Sequence, residues 1–389
     1  MLDDTLIARL TEWRHHLHAH PELSFEESAT AAFVSDRLTE MGIPHETGIG
    51  GHGVVATLRR PGSNRAVGLR ADMDALPITE ATELPYASTR SGVMHACGHD
   101  GHTAALLGAA AVLAESEDWQ GRIHLIFQPA EERGGGAKAM LADGLLERFP
   151  MDRIFAFHNW PGIAAGTVVA TPGPVFAAGG PFAIRLTGTA GHAAAPHTTR
   201  DVIAASGSLI TALQSVVSRN IDPLSPAVVT IAKIHGGTVT NQIPAEVLLE
   251  GTIRTFSRPL RAEIAAHITR IAEGVAAAYG VAATVNVDPG GQVCINAPAE
   301  TEIAAEATLA IGAELRRDVP PVMGGDDMSY LLQAVPGCYV RIGAGPARPD
   351  GELHGPGFDF NDAILPVATG WLARVAQLAL AAKAGPKKA

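Results

Sequence analysis

Three cysteines in 389 residues, spread over Cys97, Cys294 and Cys338, are too few and too scattered to build a disulfide framework. Their odd number fits a reducing compartment. Basic residues are also in deficit, 29 Lys and Arg against 40 Asp and Glu, for a formal charge of -11. Proteins that grip phosphate backbones carry basic stripes, whereas the one basic cluster here is Lys387-Lys388 at the chain end. No nucleic-acid partner is expected. No run reaches the ~18 apolar residues of a membrane span. The start, Met1-Leu2-Asp3-Asp4, is acidic where a signal peptide is basic, and Arg9 interrupts the apolar pattern after it. No membrane partner is expected, and a cytoplasmic location is the expectation. Low-complexity tracts and internal repeats are missing too.

What is present is an ordinary globular composition, 47% hydrophobic and 18% charged, in a chain longer than one core usually serves, so two domains are expected. Leu6, Leu10, Trp13 and Leu17 recur at helical spacing up to Pro21. Ser24-Phe25-Glu26-Glu27 offers a capping box for a second helix that stops at Gly42. Apolar runs of strand length follow at Gly53 to Leu58, Ala66 to Leu69, Arg122 to Phe127 and Arg153 to Phe157, with helical stretches after His102 and at Ala137 to Leu141. This alternation predicts an α/β domain with a mainly parallel sheet. After Pro172-Gly173-Pro174 the texture changes. Strands at Phe182 to Thr187, Val228 to Ile234 and Leu248 to Phe256 interleave with helices at Val202 to Ser218 and Leu260 to Tyr279. The chain then returns through Ile303 to Leu315, a strand at Cys338 to Ile342, a Gly/Pro-rich loop and a helix from Pro366 to Ala382. The expected organisation is a discontinuous catalytic domain, 1–178 and 290–389, carrying a smaller inserted α+β domain, 179–289.

The densest chemistry lies in Met94-His95-Ala96-Cys97-Gly98-His99-Asp100-Gly101-His102. Soft and borderline ligands ahead of a helix make a place to hold a cation. Cys97 and His99 cannot fill a metal's shell, so partners are needed. Open α/β sheets bind ligands beyond the carboxyl ends of their strands. There Val67-Gly68-Leu69 runs into Asp72 and Asp74, Ile123 to Phe127 into Glu131-Glu132, and Ile154 to Phe157 into His158. Adjacent carboxylates are ordinarily a solvated turn, but at the end of a buried strand two like charges are costly unless cations share the site. One can hold metal while the other serves as general base; Arg133 next door could instead simply pair with either. His158 alone would read as a core histidine and His354 as a surface one. With Cys97, His99 and Glu132 they make five candidate ligands, enough for two cations if one ligand or a water bridges. Asp72 and Asp74 are candidates to orient an imidazole. Cys97 as a nucleophile activated by His99 is a second reading, but it leaves the acidic pair and the distant histidines without a task. Further polar standouts are His192, Asn241 and Arg254; a functional guanidinium on a strand would grip a substrate carboxylate.

Eight stretches carry a family resemblance. They are His18-Ala19-His20-Pro21-Glu22-Leu23-Ser24-Phe25-Glu26-Glu27, Leu69-Arg70-Ala71-Asp72-Met73-Asp74-Ala75-Leu76-Pro77, Met94 to His102, Gln128-Pro129-Ala130-Glu131-Glu132, Phe157-His158-Asn159, Gly191-His192-Ala193-Ala194, Gly251-Thr252-Ile253-Arg254-Thr255-Phe256 and Leu353-His354. In this order, over nearly the whole chain, the sequence resembles the metal-dependent amidohydrolases that include hippurate hydrolase, N-acyl-amino-acid amidohydrolases (aminoacylases) and plant indoleacetyl-amino-acid hydrolases. The resemblance implies two divalent ions, zinc or manganese first and cobalt or nickel possible, held by Cys97, His99, Glu132, His158 and His354, with Glu131 as base and acid. It implies that the insert is a ferredoxin-like lid that makes a homodimer. His192 would help hold the oxyanion in the partner subunit's site, and Asn241 and Arg254 the substrate's carboxylate. The implied substrate is a small N-acyl amino acid. A dipeptide-cleaving metallopeptidase (dipeptidase or carboxypeptidase) and a catalytically silent metal-bound binding protein are the alternatives. Two departures stand out: Gly324-Gly325-Asp326-Asp327-Met328-Ser329 where many relatives read Gly-Ser-Glu-Asp-Phe-Ser, which places a shorter Asp326 near the acyl pocket, and Arg133 where Gly is commoner.

Overall fold

Asp3 opens the first helix by accepting the Leu6 N–H on its side chain, and Leu10, Trp13 and Leu17 form the buried stripe of that helix. The computed structural model describes residues 2–345 and 351–382. The elements up to the insert are α1 (Asp4–Ala19), α2 (Ser28–Glu40), β1 (His45–Ile49), β2 (Gly53–Arg60), β3 (Ala66–Asp72), α3 (His99–Glu115), β4 (Gly121–Gln128), α4 (Gly136–Ala142), α5 (Leu145–Arg148), β5 (Arg153–Pro161), β6 (Val168–Val169) and β7 (Gly173–Phe176). Next come β8 (Ala178–Thr187), β9 (Gly191–His192), α6 (Val202–Leu213), α7 (Ser215–Asn220), β10 (Ala227–Gly236), β11 (Gln242–Ile243), β12 (Glu246–Thr255), α8 (Arg258–Tyr279) and β13 (Ala282–Val287). The chain closes with β14 (Cys294–Asn296), α9 (Pro298–Ala310), β15 (Leu315–Arg316), α10 (Met328–Ala334), β16 (Gly337–Gly345) and α11 (Leu365–Ala381).

The chain divides into two compact units. One runs through Val175 and resumes in Cys294–Pro320 and from Asp326 on; the other is Phe176–Val293 with Pro321–Gly325. In the first unit an eight-stranded sheet runs β1-β2-β4-β3-β5-β16-β6-β15. Its centre, β4, β3, β5 and β16, is parallel, while β1 and β2 form an antiparallel edge. The strand β3 is buried along its whole length because both faces of the sheet are covered, and Arg70 and Asp72 interrupt its apolar run. The α3 and α11 helices pack on the sheet around Leu106, Leu113 and Trp371, whose indole N–H donates to the Ala304 carbonyl at 3.1 Å. The stretch Asp362–Ala381 is long and apolar enough to cross a membrane, but most of it is buried inside this core. It is read as a core helix.

The second unit is an antiparallel sheet, β10-β12-β8-β13, covered by α6 and α8 through Phe182, Ile184, Leu249, Ile253, Ile264 and Ile268.

Local rules were overridden at two places. The expected capping box does not cap α2: the Ser24 hydroxyl donates to Asp74 and the Glu27 carboxylate accepts the Ala130 N–H, so long-range partners take both side chains. The expected helix over 202–218 breaks at Gln214 into α6 and α7. The stretch from Ile303 to Leu315, to which the sequence assigned no element, is divided between α9, which starts at Pro298, a residue pre-set for a first turn, and ends at Ala310, and β15.

Candidate metal centre

Parallel register decides what leaves the sheet together. Asp72 at the end of β3 stands beside Gln128 at the end of β4, so Met73-Asp74 and Pro129 to Glu132 emerge side by side. On the other flank His158 lies within β5, opposite Arg341 of β16. The loop before α3 closes the ring. Gly98 has φ 93°, and a Cβ there would meet the Asn159 Oδ1 at 2.4 Å. Only glycine fits that turn, which delivers Cys97 on one side and His99, the first residue of α3, on the other.

Each candidate ligand is oriented by a partner behind it. His99 sets Nδ1 against the Asp74 carbonyl at 2.9 Å, which leaves Nε2 buried without a hydrogen-bond partner. His158 donates from Nδ1 to the Asn159 carbonyl at 2.7 Å, and its Nε2 lies 3.4 Å from the Cys97 sulfur. The carboxylate of Asp74 accepts the backbone N–H of both Glu131 and Glu132 at 3.0 Å, so one side chain holds the whole acidic pair. Just before that pair Ala130 sits at φ 52°, and at the other end of the chain His354 sits at φ 65°. Left-handed backbone at non-glycine residues is strained and collects at functional sites. The His354 N–H donates to the Ala96 carbonyl at 2.8 Å, and its Nε2 reaches to 3.4 Å from Glu132 Oε1.

Among the described residues five sets of donor atoms lie within 4.8 Å of one another: Cys97, His99 and His158; Cys97, Glu132 and His354; His99, Glu131 and Glu132; Asp72, His99 and His102; and Glu131, Asp326 and Asp327. His99 belongs to three of them, and Cys97, Glu131 and Glu132 to two each. The residues fit a metal. Buried His99 Nε2 lacks a hydrogen-bond partner, and Glu132 Oε1 has only the ion-pair approach of His354 at 3.4 Å; such atoms are costly unless something binds them. The donor set of thiol, imidazoles and carboxylate suits zinc and its neighbours. The field agrees: contacts with Cys97 and Glu132 push His354 up to about 10, so positive charge is favoured there. Burial raises the Cys97 thiol above its ordinary value, which argues against an activated cysteine nucleophile. Burial, together with Asp326, Glu132 and Asp327, likewise holds Glu131 well above the carboxylate range.

Asp72 serves a different imidazole. It lies 2.6 Å from His102 Nδ1 and pairs with Arg70, and the Asn159 N–H reaches His102 Nε2 at 3.2 Å. Arg133 is exposed and makes no ion pair among the described residues, so it neutralises neither member of the acidic pair. Asp326 accepts the Tyr339 hydroxyl at 2.7 Å and the Met328 N–H at 2.8 Å, so its carboxylate is committed to a buried cluster. In the second unit His192 pairs with Gln242, and the Ala193 N–H donates to the Asn241 carbonyl at 3.0 Å, which makes His192 and Asn241 neighbours. Arg254 lies in the other sheet of that unit, across from Gly179 and Val228, with Nη1 3.5 Å from the Met323 carbonyl.

The sequence pattern of peptidase family M20/M25/M40 matches residues 68–378. The chain belongs to this family. An N-acetyl-L-cysteine deacetylase of Bacillus subtilis (strain 168) is 41% identical over 92% of this chain and 85% of its own length. A hippurate hydrolase of Campylobacter jejuni is 38% identical over 93% of this chain and 94% of its own. The solved structure of the YXEP protein of Bacillus subtilis, described as a dinuclear metal-binding peptidase of family M20, superposes with a TM-score of 0.86 at 34% identity, covering 97% of this chain and 99% of that one. This family M20 chain therefore shares its α/β architecture with a metal-binding relative.

Several residues of the site had no role in the sequence reading. Arg70 and His102 lay inside quoted motifs, and a charge in the middle of an apolar strand was the available signal for Arg70. Glu27 was assigned to a helix cap. Arg14 and His18 hold Asp100 in the first turn of α3, with His18 Nδ1 2.8 Å from Asp100 Oδ2 and Arg14 Nη1 at 3.7 Å. No spacing rule connects α1 to that loop.

Proposed function

We propose that this chain is a metal-dependent amidohydrolase that splits N-acyl amino acids into a carboxylic acid and a free amino acid. The observation that carries the reading is the position of Glu131. It neighbours His99 and Glu132 within 4.8 Å, as a candidate ligand does, while Cys97, His99, Glu132, His158 and His354 already provide a donor set without it. The relatives named as a deacetylase and a hippurate hydrolase act on bonds of this kind.

Cys97, His99, Glu132, His158 and His354 would hold two divalent cations, with zinc or manganese the first candidates and cobalt or nickel next. When bound, the cations supply Lewis acidity that polarises the scissile carbonyl and eases deprotonation of water. The rest is the work of side chains. Glu131 takes a proton from the attacking water and returns it to the leaving nitrogen, so that one carboxyl group serves as base and then acid. Asp74 keeps Glu131 and Glu132 in fixed relation, and its carbonyl keeps His99 turned with Nε2 inward. His192 is assigned to the oxyanion, and Asn241 and Arg254 to the substrate carboxylate, on the family resemblance. A homodimer through the second unit is supported by β10, a ten-residue edge strand with mostly exposed residues at its far end.

The test is a metal-replete hydrolysis panel of N-acetyl, N-benzoyl and indoleacetyl amino acids alongside unblocked dipeptides, each with and without chelator. Chelator-sensitive cleavage of blocked substrates is expected. Cleavage confined to free dipeptides would move the assignment to a metallopeptidase, and no cleavage at all to a binding protein.

A further inference from the structure

Arg70 stands in the middle of β3 at 1% exposure. A lone buried guanidinium is costly unless carboxylates surround it. Its Nη1 pairs with Asp72, its Nε donates to Gln128 Oε1 at 2.9 Å, and its Nη2 donates to Asp327 Oδ1 at 3.2 Å with Asp326 at 3.6 Å. Asp327 is held from further sides. Gln128 Nε2 donates to its Oδ1 at 2.6 Å and the Ala137 N–H to its Oδ2 at 2.8 Å. With its carboxylate fixed by three donors, the backbone of Asp327 has little freedom. Its N–H donates to Glu131 Oε1 at 3.3 Å.

We propose that Asp327, anchored by Arg70 and Gln128, is the positioning residue of Glu131, pinning one carboxylate oxygen so that the other faces the water it deprotonates. A glutamate side chain has three rotatable bonds, and a base must sit within hydrogen-bond reach of its proton. Asp74 fixes the Glu131 backbone; the Asp327 N–H fixes the far end of its side chain. Arg70 therefore couples two strand ends and a turn to the base: β3 through Asp72, β4 through Gln128, and the turn before α10 through Asp327. The inference rests on the reading of Glu131 as the base.

The experiment is a double-mutant cycle of Asp327→Ala and Asp327→Asn with Glu131→Gln. It is run on whichever of N-benzoylglycine and N-acetyl-L-cysteine the wild-type protein turns over, with bound metal and thermal midpoint measured for each variant. Asp327→Ala is expected to lower kcat at least tenfold, leave KM within about threefold, and keep the wild-type metal content. Asp327→Asn, which retains an acceptor for Arg70 and Gln128, should recover part of that loss. On the Glu131→Gln background Asp327→Ala should cost almost nothing more, because two residues acting through one group are not additive. Additive losses, a parallel loss of metal, or unchanged kcat in Asp327→Ala would overturn the assignment. So would failure of both Asp327 variants to fold, which would make the residue structural. If Glu131→Gln alone keeps its turnover, the reading of Glu131 fails first, and that outcome is distinct from any of these.

Discussion

Nε2 of His354 lies 3.4 Å from Oε1 of Glu132, and both share a 4.8 Å donor set with the sulfur of Cys97. Residues far apart in the sequence thus meet at one point, where contacts with Cys97 and Glu132 favour a positive charge on the imidazole. A cation that replaces that proton should bind tightly and stabilise the fold by mass action. Cys97→Ala and His354→Ala are each expected to lower divalent-metal affinity at least tenfold. Metal analysis after dialysis, and the rise in thermal midpoint on adding Zn2+ or Mn2+, measure this. Wild-type midpoint shifts in both variants would remove these residues from the ligand set.

Glu131 has a different signature. Glu131→Gln preserves shape while removing the proton acceptor, so turnover should fall by about 10²–10⁴-fold with metal content unchanged. Parallel measurement of kcat and bound metal separates base from ligand, since a ligand variant loses both together.

Gly98 tests the loop. Alanine there would have to adopt φ 93° and push against Asn159 Oδ1 at 2.4 Å. The left-handed backbone costs about 1–2 kcal/mol, and overpacking adds about 1–3 kcal/mol. Gly98→Ala should lower stability by a few kcal/mol and weaken metal binding, since Cys97 and His99 flank the turn. Chemical denaturation with and without metal reads both effects.

Two buried groups, Glu27 and His124, set opposite pH limits on stability. Burial pushes the Glu27 carboxyl up to about 7, while the unfolded chain releases that proton near 4.5. Stability from this group is complete below 4.5 and is lost as pH rises to 7, a loss of at most about 3–4 kcal/mol at 1.36 kcal/mol per unit. Glu27→Gln can still accept the Ala130 N–H and should move the stability optimum to higher pH.

His124 works in the other direction. Burial lowers it to about 4, so the unfolded chain binds a proton that the folded chain refuses between 6.5 and 4. Stability is therefore lost as pH falls through that window. His124→Gln should move the optimum to lower pH. Denaturation midpoints from pH 4 to 8 would show the two variants displaced in opposite directions; a common displacement would contradict both assignments.

Chain order and periodicity, which are local, were enough for the α/β alternation, the change of texture after Pro174, and the emergence of Asp72 and Glu131 at strand ends, whereas β5 runs on past His158 to Pro161. The sequence by itself also presented Cys97, His99, Glu132, His158 and His354 as candidates, through the kinds of side chain a cation needs. Only the tertiary structure decided how they face one another. It turned His99 by the Asp74 carbonyl, drew Ser24 and Glu27 away from the cap of α2, gave His102 to Asp72, and set Arg70 between three carboxylates. All but the Arg70–Asp72 pair join atoms from distant parts of the chain. A residue's type and spacing say what it can bond, and packing of the whole chain selects which partner it meets.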